Sequence, residues 1–148
     1  MSKVLRIISL LSLLFGLVSV SSSQQCAILT AADVQKITGT PVKNVPWQSQ
    51  PGAGGRCANF ATSDGKLYLG VSETTNYKSE VAAVPESVYP KRETLTGVGD
   101  EGILMKDGTG HIRYLVARKG NRGVILFPFH SSPTDEQLKK LAIAALSH

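Results

Sequence analysis

Cys26 and Cys57 are the two side chains of this sequence best suited to a defined covalent chemistry. They are the only cysteines, and no histidine cluster lies near either of them. In an oxidising compartment, two such residues predict a disulfide, which closes a loop of about 30 residues and stabilises the fold by roughly 3–4 kcal/mol. Lipidation of Cys26 is less favoured, since Ser23-Gln24-Gln25 precedes it instead of the Leu-x-small pattern of lipoproteins. Metal binding by two isolated cysteines is a third alternative.

A basic cluster in the C-terminal third is the next group of candidate functional residues. Four cations lie within ten positions, and no acidic residue occurs from Gly108 to Thr134. On neighbouring hairpins their fields would add, which predicts a weak affinity for an anionic surface or an acidic partner. The alternative is an ordinary solvated hairpin surface. The cluster consists of Arg113, Arg118, Lys119 and Arg122.

A glycine-rich stretch at residues 97–102 reads GVGDEG and matches the G-x-G-x-x-G fingerprint of dinucleotide sites. That fingerprint must open a helix, whereas a strand is predicted to follow here, and two carboxylates would repel phosphate. The stretch therefore predicts a structural turn in which Asp100 bonds to its own backbone. A cation or basic-partner contact through Asp100, Glu101 and Asp107 is the alternative. The turn residues are Gly97, Gly99, Asp100 and Gly102.

No other pattern predicts an active site. The sequence contains neither Gly-x-Ser-x-Gly nor His-Glu-x-x-His, and its three histidines lack metal-ligand spacing. A carboxylate pair for glycoside hydrolysis stays open, because such pairs have no fixed spacing in sequence. We therefore predict no catalytic residue, no metal ligand and no cofactor.

The first 23 residues have the pattern of a cleaved signal peptide. Lys3 and Arg6 precede an apolar run at residues 7–20, and small residues follow at 19 and 21–23. The run is shorter than the roughly 20 residues that span a bilayer. We expect a single exported domain at residues 24–148, periplasmic or extracellular, with no transmembrane segment. Its 14 basic and 11 acidic residues give a net charge of +3, too small for a nucleic-acid binder.

The periodicity of the remaining chain predicts an α+β fold. An early helix begins at Thr30, with Asp33 in position for a capping box, and ends at Gly39. An amphipathic helix ends the chain, and a short helix falls between Asn76 and Pro90. Short turns between the predicted strands require antiparallel pairing. We expect a sheet of about five strands with the N-terminal and C-terminal helices packed on it. The predicted strands are 57–62, 67–72, 103–106, 111–118 and 123–129.

Four short segments together resemble a known group of exported proteins. They are LTAADVQKITG at 29–39, RCANF at 56–60, TGVGDEG at 96–102 and LVARKGN at 115–121. The chain resembles small exported bacterial proteins, often lipoproteins, that are described only as domains of unknown function. The resemblance implies a PsbP-like α/β/α sandwich and no active-site residues.

These observations predict a secreted or periplasmic domain that binds and does not catalyse. The leading hypothesis is an interaction or accessory module associated with the cell envelope, whose partner is an envelope protein or an anionic surface component. A small-ligand-binding protein is the first alternative, and a hydrolytic enzyme is the second. A deep polar pocket would favour the alternatives, whereas a filled core with a flat apolar or charged patch would favour the module.

Overall fold

A seven-stranded antiparallel sheet carries three helices in the computed structural model, which describes residues 28–45, 56–130 and 132–148. The sheet order is β1-β2-β3-β7-β6-β5-β4, so β7 pairs with β3 in the middle of the sheet. The strands are β1 (Val42–Val45), β2 (Arg56–Thr62), β3 (Leu67–Thr74), β4 (Lys91–Thr94), β5 (Glu101–Lys106), β6 (Arg113–Lys119) and β7 (Arg122–Pro128). The helices are α1 (Ala31–Thr38), α2 (Tyr77–Ala83) and α3 (Asp135–Ser147).

The predicted α+β class and the antiparallel pairing are confirmed, but the predicted strand number is wrong. The sheet has seven strands instead of about five, and the two additional ones are β1 and β4 at its edges. Each is four residues long, and their sequences VKNV and KRET show no period-two apolar pattern. An edge strand is partly solvated and pairs on one side only, so its sequence carries little of the pattern that identifies a strand.

The sheet lies between two layers. Side chains alternate between the two faces along β5, β6 and β7, so that Leu104, Leu115 and Leu126 lie on the first face. There α3 packs on β6 and β7, and α1 packs against α3 and β1. The residues between these turn to the second face, where Val84 and α2 cover Met105 and Val116. Because both faces are apolar at the centre, the strands there are nearly continuous apolar runs.

The caps of the helices follow from the sequence as predicted. Thr30 and Asp33 form the capping box of α1, and Gly39 ends the helix in the left-handed conformation. At α3 the cap is Thr134, whose side chain and Gln137 form a second capping box. The predicted amphipathic helix buries one apolar stripe, which consists of Leu138, Leu141, Ala142, Ala145 and Leu146.

The two ends of the sheet differ in composition, and each is named here for its residues. The charged end comprises the turn at 97–100, the start of α2 and the β6–β7 turn at 119–122. The apolar end comprises the turn at 63–66 with the adjoining Leu67, the turn at 107–112, the loop at 84–90 and the residues that follow β7.

Some predictions fall on residues that the structure does not describe. The signal peptide at residues 1–23 and Cys26 lie outside the described ranges, and so does the side chain of Cys57. Within the described ranges, no helix combines the length and the apolar character needed to cross a bilayer.

Candidate functional site

Arg113 lies apart from the other three residues of the predicted basic cluster. It begins β6 at the apolar end and points to the first face, where its side chain is 5% exposed. Its guanidinium donates to Asp135 Oδ1 at 3.0 Å and to the His130 carbonyl at 3.0 Å. Lys106 Nζ reaches the other oxygen of the same carboxylate at 2.5 Å. Arg113 therefore anchors the start of α3 to the sheet and is not available to a surface ligand.

The Asp135 carboxylate holds two cations, and this contact changes its acidity. Burial alone raises its pKa, but the hydrogen bonds and charges of Lys106 and Arg113 outweigh burial and hold the pKa below its usual range. The carboxylate is therefore charged at neutral pH.

The remaining basic residues do come together at the charged end, but acidic residues neutralise two of them. Arg118 Nε donates to Glu101 at 2.5 Å, and the Arg122 guanidinium donates twice to Glu73, at 2.8 and 3.0 Å. Lys119 is exposed and has no ion pair within the described residues. Both carboxylates belong to other strands. They could not be predicted as partners from the stretch at 108–134, which contains no acidic residue.

The predicted turn at residues 97–102 joins β4 to β5 and is followed by a strand, not by a helix. Asp100 bonds to the β6–β7 turn instead of its own backbone: its Oδ2 accepts from the Gly120 amide at 2.7 Å. Its own amide donates to the Arg118 carbonyl at 2.7 Å. A Cβ built on Gly99 would overlap that carbonyl oxygen, which explains the glycine. The turn and the β6–β7 hairpin thus form one hydrogen-bonded unit.

A small open pocket lies beside this unit at the charged end. Its volume is about 210 Å³, and Tyr77, Lys78, Arg118 and Asn121 contribute to its walls. Burial and the Glu101 carboxylate raise the pKa of Tyr77. The pocket is smaller than the roughly 300–1,000 Å³ typical of ligand sites. In the described part of the chain, no three acidic, histidine or cysteine side chains are grouped as metal ligands.

The apolar end carries a feature that the sequence analysis did not predict. Five large hydrophobic side chains of the described residues are exposed, and four of them lie at this end. The fifth is Ile143, on the outer side of α3 and 44% exposed. The four are Leu67 at 40%, Val88 at 51%, Ile112 at 56% and Phe129 at 41% exposure.

A row of aromatic rings lies on the second face, near three of these four residues. The rings of Tyr89 and Tyr114 are 6.4 Å apart, and Tyr114 meets Phe127 edge to face at 4.4 Å. A Cβ built on Gly70 would lie 3.6 Å from Phe127 and 3.5 Å from Phe129, so both rings stand beside this glycine. The two-residue period of β6 places Ile112, just before the strand, on the same face as Tyr114. Phe129 therefore lies beside this row of rings, and Val88 and Ile112 are close to Tyr89 and Tyr114 along the chain.

The acidic groups at the apolar end are satisfied within the chain. Asp64 lies 3.0 Å from Lys66, and hydrogen bonding to Thr62 lowers its pKa to about 2. Glu86 lies 4.0 Å from Arg92. The Asp107 carboxylate accepts from the Thr109 hydroxyl and the Ile112 amide, and Lys91 donates to the Gly108 carbonyl at 3.1 Å. The charged groups at this end are thus bound within the chain, and the exposed hydrophobic side chains lie among them.

The sequence did contain a signal for this surface. Period two places Ile112 with Tyr114, and Phe127 with Phe129, on the second face. The loop with Val88 and Tyr89 reaches the same surface only because β4 pairs with β5, and β4 was not predicted.

Comparison of the chain with protein-family models, with curated proteins and with solved structures found no match.

Proposed function

We propose that the chain is an exported, non-catalytic interaction module that binds a partner in the cell envelope through its apolar end. The observation that carries the proposal is that four exposed hydrophobic residues lie at one end of the sheet, three of them near a row of aromatic rings. Hydrophobic residues scattered singly over a surface need no explanation, whereas a cluster of them is typical of an interaction site.

The pocket at the charged end is not a suitable ligand site, which supports the interaction module over a ligand binder or an enzyme at that end. Residues on both faces of the central strands are almost completely buried, so the core is filled. The pocket at the charged end is small, and the arginine beside it is already bound to Glu101. A ligand there would compete with that ion pair.

Export and family membership belong to the same proposal. Helices on both faces of an antiparallel sheet are the layering that a PsbP-like sandwich requires, and this supports the resemblance. Export rests on the pattern of residues 1–23, and it makes the Cys26–Cys57 disulfide the expected state of the two cysteines.

A weaker contact with anionic surfaces is the second candidate. Lys78 and Lys119 are exposed at the charged end, and neither has an ion pair within the described ranges. Two unpaired lysines give a weak, salt-sensitive attraction.

Site-specific photo-crosslinking tests the proposal in cells that produce the protein naturally. A photoreactive amino acid replaces Ile112 or Phe129 in two variants, and Ile143 in the control, which matches Ile112 in residue type and approximate exposure. We expect a discrete cross-linked species from positions 112 and 129 and none from position 143. Equal cross-linking at all three positions, or none at 112 and 129, contradicts docking at the apolar end.

A further inference from the structure

We draw no further inference here: the strongest candidate, the surface patch of exposed hydrophobic side chains at the apolar end of the sheet, belongs to the site already described, and nothing in the described residues shows what covers it.

Discussion

The two ends of the sheet differ in how far their surface side chains find partners within the chain. At the charged end, Arg118 and Arg122 are held by Glu101 and Glu73, and Asp100 bonds to a neighbouring turn. At the apolar end, Ile112 and Phe129 remain exposed. The charged end, which contains most of the candidate residues predicted from the sequence, thus consists largely of polar groups that are ion-paired or hydrogen-bonded to each other. The apolar end, for which the sequence predicted no function, exposes hydrophobic side chains that do not contribute to the core.

The comparison shows why a cluster of like charges in sequence is a weak indicator of a charged surface. Glu73 and Glu101 lie 49 and 17 positions from their arginine partners, outside the acid-free stretch. Antiparallel pairing brings them next to Arg118 and Arg122, so that only Lys119 of the three cluster residues at this end has no ion pair within the described residues. Exposed hydrophobic residues have no comparable way to be satisfied within the fold.

Gly99→Ala should produce the largest effect, because the charged end depends on close backbone approach. The alanine would take a φ of +68°, and its Cβ would overlap the Arg118 carbonyl oxygen. We expect a loss of about 3 kcal/mol in the free energy of unfolding, measured by urea denaturation. Gly97→Ala is the matched control: it has a φ of +79° with no atom within 4 Å of the added Cβ, and should cost about 1 kcal/mol. Equal losses would mean that close packing of this turn is not needed.

Asp135→Asn should have the next largest effect, since it removes the carboxylate that anchors α3 beneath the apolar end. The amide keeps one acceptor oxygen but carries no charge, so Arg113, which is 5% exposed, and Lys106 would no longer share an anion. We expect a loss of about 2 kcal/mol, less than for a fully buried pair because Asp135 is 34% exposed. Glu136→Gln, at 75% exposure in the same helical turn, controls for the helix dipole and should change stability by less than about 0.5 kcal/mol. Similar losses for both variants would contradict a specific anchor.

The same carboxylate predicts how stability responds to acid. The pKa of Asp135 is lowered in the folded state, so its contribution is present above the unfolded value of about 3.9 and is lost as the pH falls through the lower folded value. The difference in melting temperature between wild type and Asp135→Asn should therefore shrink as the pH falls from 7 to about 2. A difference that stays constant over this range would show that the charge of Asp135 does not stabilise the fold.

The smallest expected effect concerns anionic surfaces at the charged end. Lys119 has no ion pair in the described residues, whereas Arg122 is bound to Glu73. We expect Lys119→Ser to reduce sedimentation with anionic vesicles by about twofold at low salt, and Arg122→Ser to reduce it less. At about 1 M salt, where the Debye length is about 3 Å, neither variant should differ from wild type. A larger effect of Arg122→Ser would mean that its ion pair opens on binding.

The sequence was informative where local chemistry decides the structure. The capping box at Thr30, the stripe from Leu138 to Leu146 and the turns between β5, β6 and β7 follow from residue type and spacing. The strands β1 and β4 could not be predicted, because their stability comes from a neighbouring strand and not from their own residues. The apolar end depends on β4 in turn, since that strand carries the loop with Val88 to the aromatic row. Ion pairs between residues far apart in the sequence could not be predicted either, because they also depend on which strands pair.

Carbene footprinting tests the central claim most directly, because it measures which side chains are covered whatever the partner is. Labelling of the protein in its native envelope preparation is compared with labelling of the purified chain at high dilution. The account predicts reduced labelling of Val88, Ile112 and Phe129 in the native preparation, with Lys119 and Ile143 unchanged. Unchanged labelling at the apolar end, or an equal reduction over the whole surface, would contradict a docking site there.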